Sequence, residues 1–311
     1  MKIVFMGTPS PAAEILTKLI KKKYQILCVI TQPDRPKGRG QKLSFSPVKE
    51  VALKHGLPIE QPEKVKGDKA FAAFIKALNP EAIVVVAYGK ILPKEILEIP
   101  QKGCLNVHAS LLPKYRGAAP VQWAILKGEE ETGVTVMKLD ELLDTGDILL
   151  QKKVRISEDD TTITLMDRLF SAGGKLLIEA LEKKVKPTKQ NDAEATYAPM
   201  LAKESGEIDW RKSAREIHDR VRALIPWPAA HTFYKEKLLK ILKTELHVLD
   251  LELKRQEPGT IIEIIKNVGF IVATGKGDLL IKEVQPAGKK GMGAYNFAIG
   301  HDLKSNETLP N

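Results

Sequence analysis

The sequence predicts an α/β protein in which a doubly wound, mostly parallel sheet is followed by a small β-barrel domain. Three observations support this fold class. Strand and helix patterns alternate through the first half of the chain, which is typical of a parallel sheet covered by helices. Residues 82–87 read Ala-Ile-Val-Val-Val-Ala, a run as apolar as a strand that is buried on both faces. Beyond residue 230, short β patterns alternate with Gly-containing turns, as in a small barrel.

The elements of the first half follow one another in a regular order. Apolar runs of strand length predict strands, and apolar residues three or four positions apart predict helices. The predicted strands are 2–6, 25–31, 82–87, 104–108, 132–139 and 148–156. The predicted helices are 10–22, 48–55, 68–78, 93–97, 119–126 and 161–183.

The chain is long enough for two domains, since its 311 residues exceed the roughly 100–200 of one ordinary domain. Residues 1–184 form the predicted first domain. Segment 185–203 lacks clear periodicity and contains Lys-Pro, Asn-Asp and Ala-Pro breakers, so it is interpreted as a linker. Residues 204–311 form the predicted second domain, with a helix at 213–223 and strands at 231–233, 238–243, 260–265, 269–273 and 279–284.

Composition narrows the class of protein. Hydrophobic residues make up 43% and charged residues 28% of the chain, which is typical of a globular protein rather than a disordered one. No apolar run reaches the roughly 18 residues that cross a bilayer, and residues 1–7 are too short for a signal peptide. A cytosolic protein is therefore expected.

Cys28 and Cys104 lie in apolar strand patterns and are predicted to be buried free thiols.

The charge balance favours an anionic partner. The formal net charge is +10, and nucleic acid is the leading candidate for such a chain. Loop 35–42 contains four cations, Arg35, Lys37, Arg39 and Lys42, and no acid, which suits contacts to phosphates. On composition alone, a mobile, solvated loop is as good an interpretation as a phosphate-binding loop. From Arg211 onward, 17 Lys and Arg stand against 12 Asp and Glu, so the second domain is also basic.

Segment 106–120 carries the strongest chemical pattern. Asn106 and His108 lie two residues apart in a predicted strand, so their side chains point to the same face. The strand ends there, and ligands of open α/β sheets bind at the carboxyl ends of strands. A carboxamide can donate to a developing oxyanion, and an imidazole can move a proton near neutral pH. This pair therefore predicts an acyl-transfer site, whereas an isolated Asn-x-His would only end a strand.

Segment 143–147, Leu-Asp-Thr-Gly-Asp, supplies carboxylates. One of these acids could orient the imidazole or hold a proton during transfer. Taken alone, the same residues fit an ordinary polar turn between two strands.

Nucleotide-binding motifs are absent from the sequence. Residues 7–9, Gly-Thr-Pro, stand where a dinucleotide-binding protein carries Gly-x-Gly-x-x-Gly, and no phosphate-binding Gly-x-x-x-x-Gly-Lys-Ser/Thr motif occurs. A dinucleotide or ATP enzyme is therefore disfavoured.

Segments 106–120 and 143–147 together resemble the folate-dependent formyltransferases. Asn106, His108 and Asp144 match the catalytic Asn, His and Asp of that family, in the same order and separation. Residues 110–113, Ser-Leu-Leu-Pro, match its folate-site signature. Two departures are Ala109, where a Gly is common, and Pro11, where an aromatic residue is common.

Within the family, the chain is most similar over nearly its full length to the members whose acceptor is initiator methionyl-tRNA. Segments 5–9, 31–40, 86–89, 208–210, 226–228 and 285–289 carry this similarity. The resemblance implies a Rossmann-like formyltransferase domain, an OB-like second domain, 10-formyltetrahydrofolate as donor and no metal. A monomer is expected. The residues implied to bind folate are Ser110, Leu111, Leu112, Pro113, Tyr88 and Gly89. The residues implied to contact the tRNA are Arg35, Lys37, Arg39 and Lys42.

The resemblance also implies a division of labour. Asn106 would stabilise the oxyanion, and His108 would share that task or move the proton. Asp144 would orient His108 and assist proton transfer. Two alternatives stay open: the same chemistry on the amine of a sugar nucleotide or ribonucleotide, and a tRNA-binding protein with a degenerate site. The basic loop 35–42 argues against the first, and the intact catalytic triple argues against the second.

Overall fold

The structure is a computed structural model that describes residues 1–37, 42–247 and 256–310. It contains two compact units. The first comprises Met1–Pro120, Glu131–Arg155 and Met166–Ala198, and the second comprises Val121–Glu130, Ile156–Leu165 and Pro199–Asn311. The predicted linker, 185–203, is thus divided between the units after Ala198. The domain boundaries at residues 184 and 204 stay a prediction.

All the strands and helices that the sequence predicts up to residue 198 are present, together with five short strands that it does not predict. The strands are β1 (Lys2–Gly7), β2 (Gln25–Ile30), β3 (Arg35–Lys37), β4 (Lys42–Ser44), β5 (Ile59–Glu60), β6 (Ala82–Val86), β7 (Cys104–His108), β8 (Arg116–Gly117), β9 (Glu131–Lys138), β10 (Ile148–Arg155) and β11 (Tyr197–Ala198). The helices are α1 (Ser10–Lys21), α2 (Pro47–Lys54), α3 (Lys69–Leu78), α4 (Lys94–Leu97), α5 (Pro120–Leu126) and α6 (Thr162–Glu182).

The first unit is built on a seven-stranded sheet in the order β10-β9-β7-β6-β1-β2-β5. The pairs from β5 through β2, β1 and β6 to β7 are parallel, whereas β9 and β10 are antiparallel at one edge. The predicted fold class, a mostly parallel sheet followed by a β domain, is confirmed. β7 lies between β6 and β9, and its Asn106 is in register with Val85 on one side and Met137 on the other.

The core of the first unit explains the apolar strand runs. Every residue of β6 is buried, because helices cover both faces of a doubly wound sheet. α1 buries Ile15, Leu16 and Leu19, at the three- and four-residue spacing of an amphipathic helix. Asp68 begins α3 by accepting a hydrogen bond from the Phe71 backbone N–H at 2.9 Å, which satisfies one of the free donors of the first turn.

The second unit contains an antiparallel sheet in the order β12-β13-β16-β15-β14, with β17 paired to β16. The elements are α7 (Ala214–Ala223), β12 (His231–Tyr234), β13 (Lys237–His247), β14 (Ile261–Ile265), β15 (Gly269–Ala273), β16 (Asp278–Pro286), β17 (Met292–Gly293) and α8 (Ala294–Gly300). Its core includes the fully buried Trp210, Phe270 and Phe297. α7 begins with a reciprocal capping box between Ser213 and Glu216, an arrangement that fixes a helix start. Within the described ranges, no helix is long and apolar enough to cross a membrane.

Candidate active site

Asn106 and His108 lie at the end of β7 and share one face of the sheet, as their spacing predicts. His108 is only 7% exposed, whereas Asn106 is half-buried. No hydrogen bond within residues 1–37, 42–247 and 256–310 involves the Asn106 carboxamide. It is therefore available to donate an N–H to a bound ligand.

The His108 imidazole contacts a different loop through each of its nitrogens. Its Nε2 lies 2.9 Å from the Tyr115 backbone oxygen; a carbonyl can only accept, so Nε2 carries the proton. Its Nδ1 faces Asp144 Oδ2 at 3.6 Å, which is beyond the usual hydrogen-bond distance of about 2.7–3.2 Å. The carboxylate therefore acts on the imidazole by charge rather than through a hydrogen bond.

Asp144 comes from the loop between β9 and β10 and is 8% exposed. Its Oδ2 accepts the Gly117 backbone N–H at 2.9 Å. The Asp144 backbone has φ of 55°, a left-handed conformation that residues other than glycine seldom adopt. No side-chain contact of Asp147 to His108 occurs among the described residues; its carbonyl instead accepts the Lys138 N–H at 2.9 Å. Of the two acids in segment 143–147, the structure brings Asp144 to the imidazole.

Close packing of the backbone explains why residue 146 in this loop is a glycine. A Cβ at that position would lie 1.8 Å from the Lys138 carbonyl oxygen, far inside contact distance. The loop after β9 therefore turns back tightly onto its own strand. In this turn the Asp144 carboxylate lies beside His108.

A polar network that the sequence analysis missed holds the Asp144 loop. The Gln190 amide nitrogen donates to the Asp144 and Gly146 carbonyls at 2.8 and 2.7 Å. Its Oε1 accepts from Arg116 Nη2 at 2.8 Å, and Arg116 also contacts Asp192 at 2.7 Å. Arg116 is 2% exposed. Gln190 carried no sequence signal, because a single Gln in a breaker-rich segment is not distinguishable from a solvated residue.

The predicted folate-binding loop 110–113 is mostly internal. Ser110 is fully buried and Leu112 is 3% exposed, while Leu111 and Pro113 are half-buried. The buried Thr135 hydroxyl donates to the Ser110 carbonyl at 2.6 Å and accepts the Leu112 N–H at 3.1 Å. The visible role of this loop is to fix the chain that follows His108. Contact between its side chains and folate stays a prediction.

Thr135 could have been suspected from the sequence, because it is the one hydroxyl in the apolar run Val-Thr-Val-Met of β9. The Gln151 amide completes this support by donating to the Leu112 carbonyl at 2.8 Å and to the Thr135 hydroxyl at 2.9 Å. Two neighbouring antiparallel strands thus supply polar groups to the loop after β7. No spacing in the sequence links Thr135 to Gln151, because the register of the sheet brings the two side chains together.

Tyr88 and Gly89 follow β6 at the carboxyl edge of the sheet. The Gln32 amide donates to the Tyr88 carbonyl at 2.9 Å, which ties the ends of β2 and β6 together. The Tyr88 side chain is 2% exposed, and its hydroxyl has no hydrogen-bond partner in the described structure. Burial raises the pKa of this phenol to about 12. Gly89 has φ of 81° and is exposed, which leaves room for close approach of a ligand to the backbone.

The two described ends of the predicted tRNA loop, β3 and β4, pair as a short hairpin rather than forming irregular chain. β3 and β4 pair antiparallel, with Arg35 opposite Ser44 and Lys37 opposite Lys42. The Arg35 side chain is exposed. Arg39 lies outside the described residues. Alternation of apolar and polar residues could not predict these strands, because each has only three residues and β3 contains Pro36.

A charged network stands at the root of this hairpin. Lys49 on α2 forms an ion pair with Asp34 and donates to Gln61 Oε1 at 2.8 Å. Gln61 in turn donates to Asp34 Oδ1 at 3.0 Å. The hydrogen bond from Lys49 holds the pKa of the Asp34 carboxyl below its usual value, against the opposing effect of partial burial. Asp34 therefore stays ionised and anchors the chain that enters β3.

Among the described residues, no group of three or more His, Cys, Asp and Glu could hold a metal ion. Cys28 and Cys104 are buried free thiols, as predicted. Burial raises the pKa of both thiols to about 12.

Comparison with known proteins identifies the family. Residues 1–181 match the model of the formyl transferase family, and residues 200–302 match that of the formyl transferase C-terminal domain. The chain belongs to the formyl transferase family. It is thus a formyl-transferring enzyme, and the family predicted from segments 106–120 and 143–147 is confirmed.

Individual known proteins are similar to this chain over most or all of its length. A methionyl-tRNA formyltransferase of Caldanaerobacter subterraneus is 50% identical over 313 residues, covering 99% of this chain and 100% of that protein. The solved methionyl-tRNA formyltransferase of Clostridium thermocellum has a TM-score of 0.57 and 25% identity, covering 79% of this chain and 94% of that one. HypX from Aquifex aeolicus, solved in complex with tetrahydrofolic acid, shares the fold with a TM-score of 0.67 at 17% identity, covering 100% of this chain and 51% of that one.

Proposed function

We propose that this formyl transferase moves a formyl group from 10-formyltetrahydrofolate to the α-amino group of methionyl initiator tRNA, in support of translation initiation. The similarity to a methionyl-tRNA formyltransferase over 99% of the chain carries the acceptor assignment, because it includes the basic hairpin and the second unit. The arrangement of Asn106, His108 and Asp144 supports the chemistry.

The residues around the site fit a folate, which presents a polar bicyclic ring and an aromatic ring. Tyr88 offers a buried hydroxyl without a partner among the described residues. Leu142 and Leu143 are 71% and 58% exposed beside the buried Asp144, and such apolar surface is stabilised when a flat ring covers it. Tyr88, Gly89 and the loop 110–113 are proposed to hold the folate. When bound, it supplies the activated formyl carbon.

Asn106 is proposed to stabilise the charge that develops on the formyl oxygen during transfer. Its carboxamide N–H is free and lies on a rigid strand, so no reorganisation is needed when the charge appears. His108 is less suited to this role, since its Nε2 proton is already donated to the Tyr115 carbonyl. The geometry favours the other task that the sequence left open for His108, which is moving the proton.

His108 and Asp144 are proposed to handle the one proton that the reaction transfers. The attacking amine loses a proton as the new C–N bond forms, and the departing folate nitrogen gains one as the old C–N bond breaks. Nδ1 of His108 is the ring nitrogen without a bound proton, and the Asp144 carboxylate beside it stabilises the imidazolium that forms when Nδ1 accepts one. Gly117 holds that carboxylate in place through its backbone N–H.

The basic hairpin is proposed to contact phosphates of the tRNA through Arg35, Lys37, Arg39 and Lys42. Its root is fixed by the ion pair of Asp34 and Lys49, so the hairpin starts from a defined position. Phosphate contacts made by a small group of cations provide affinity without reading bases. The hairpin would therefore orient the tRNA.

An acceptor competition tests this function. The protein is incubated with 10-formyltetrahydrofolate, charged initiator methionyl-tRNA and a UDP-amino-sugar, and both formylated products are measured by mass spectrometry. We expect formylmethionyl-tRNA alone. Preferential formylation of the sugar nucleotide would contradict the proposed acceptor and favour a small-molecule amine.

A further inference from the structure

The segment 188–198, which we call the strap, lies in the predicted linker but binds both sides of the candidate active site. Its Thr196 accepts the Arg116 N–H at 2.8 Å through the carbonyl and the Tyr115 N–H at 2.8 Å through the hydroxyl. Its Thr188 exchanges two backbone hydrogen bonds with Ile148 at 2.8 and 2.9 Å. The strap therefore joins the loop that contacts His108 to the strand that follows Asp144.

Gln190 is the side chain through which the strap reaches the Asp144 loop. Both hydrogens of its amide are used, one on the Asp144 carbonyl and one on the Gly146 carbonyl. These two carbonyls flank a turn with an uncommon backbone conformation, since Asp144 has φ of 55° and Gly146 packs against the Lys138 carbonyl. A residue held in a sparsely populated conformation persists only when its surroundings fix it.

Arg116 sets the orientation of the Gln190 amide. A guanidinium only donates hydrogen bonds, and its Nε and Nη2 point at Gln190 Oε1 at 3.1 and 2.8 Å. The amide oxygen is thereby held toward Arg116, and the NH2 group faces the two carbonyls. Since Arg116 is 2% exposed, water competes little for this contact.

We propose that Gln190 is a positioning residue that holds the Asp144 carboxylate beside His108, with Arg116 fixing its amide. This inference rests on the proposed function. Gln190 touches only the backbone of the Asp144 loop, so it acts through Asp144. A displacement of a reacting group by about 1 Å can lower a rate by about 10²-fold.

Two variants separate the donor role of Gln190 from its other contacts. Gln190→Glu keeps an acceptor for Arg116 but cannot donate to the carbonyls, and Gln190→Met removes both contacts at similar volume. Glu194→Gln, on an exposed side chain of the same strap, is the matched control for exchanging a carboxylate and an amide. Circular dichroism shows whether each variant folds.

The measurements are the single-turnover rate of formyl transfer, the folate Kd and the hydrogen exchange of peptide 140–147. In both Gln190 variants we expect a rate about 10- to 100-fold lower, a folate Kd within 2-fold of the parent and faster exchange of the peptide. In an Asp144→Asn background, Gln190→Met should lower the rate by less than about 3-fold, since coupled residues are not additive. Glu194→Gln should match the parent.

The exchange measurement needs no turnover, so it separates this inference from the proposed function. If the parent protein shows no formyl transfer, the proposed function is contradicted. Faster hydrogen exchange of peptide 140–147 in Gln190→Met would still show that Gln190 holds the Asp144 loop. An unchanged exchange rate, or faster exchange with an unchanged rate of transfer, would overturn the positioning role. Full additivity with Asp144→Asn would overturn it as well.

Discussion

Nδ1 of His108 lies 3.6 Å from Oδ2 of Asp144, and both side chains are at least nine-tenths buried. His108 ends a central strand, whereas Asp144 comes from a loop beyond the next strand of the sheet. A carboxylate at this distance stabilises the positive charge that the imidazole acquires when it accepts a proton. The pair therefore suits a task in which the imidazole gains and then releases a proton.

Replacing His108 tests the proton-transfer role. We expect His108→Ala to keep its fold by circular dichroism and to lower kcat by about 10²–10⁴-fold, the range for loss of a general acid–base group. The exposed His55 at the end of α2 is the control, and His55→Ala should match the parent. Turnover of His108→Ala within a few-fold of the parent would remove this residue from the chemistry.

Asp144→Asn is expected to impair chemistry more than binding. Asn keeps the size and can still accept the Gly117 N–H, but it has no charge to stabilise the imidazolium. Single-turnover rates should fall while the folate Kd stays within about 2-fold of the parent, because the folate contacts are unchanged. Asp147→Asn, three residues along the same loop, is the matched control. A large loss of folate affinity with normal chemistry would make Asp144 a binding residue instead.

Neutralising Arg39 and Lys42 together should weaken the use of charged tRNA. A protein that neutralises fewer phosphates releases fewer counterions, so the slope of log kcat/KM against log salt concentration should flatten by roughly 0.7–0.9 for each phosphate that is no longer neutralised. Folate binding should be nearly unchanged. A variant that neutralises the exposed Lys22 and Lys23 provides the control. If the slope of the Arg39 and Lys42 variant equals that of the parent, the hairpin is not at the tRNA site.

The ion pair of Asp34 and Lys49 should stabilise the protein in a pH-dependent way. The lowered pKa of Asp34 in the folded state means that its contribution is present above the unfolded pKa of about 3.9. That contribution is lost as the pH falls through the lowered value. Asp34→Asn should therefore reduce the melting temperature at pH 7 and have a smaller effect near pH 3. An equal loss at both pH values would show that the charge does not stabilise the hairpin root.

Regular elements were predictable because their patterns are local. The sequence predicts strands at 82–87 and 269–273, and the structure contains β6 at Ala82–Val86 and β15 at Gly269–Ala273. Short pairings such as β8 with β11 were not predicted, since two residues carry no period. β8 and β11 depend on the strap returning to segment 115–117, which only the three-dimensional structure reveals.

The candidate site was predictable only in part. Asn106 and His108 follow from their spacing on one strand, and Asp144 was one of two acids that the turn 143–147 offered. The supporting groups Arg116, Thr135 and Gln190 were missed, because each is a single polar residue whose partners are distant in sequence. Their role depends on burial and hydrogen-bond geometry, which no local pattern encodes.

The central claim is that this chain formylates methionyl-tRNA with Asn106 as the oxyanion donor. The most direct test is a single-turnover reaction of 10-formyltetrahydrofolate with charged initiator tRNA, run with the parent and with Asn106→Ala. We expect formylmethionyl-tRNA from the parent and a rate about 10²–10³-fold lower from the variant, as for loss of one oxyanion donor. No formylmethionyl-tRNA from the parent, or a folded Asn106→Ala variant within a few-fold of it, would contradict the account.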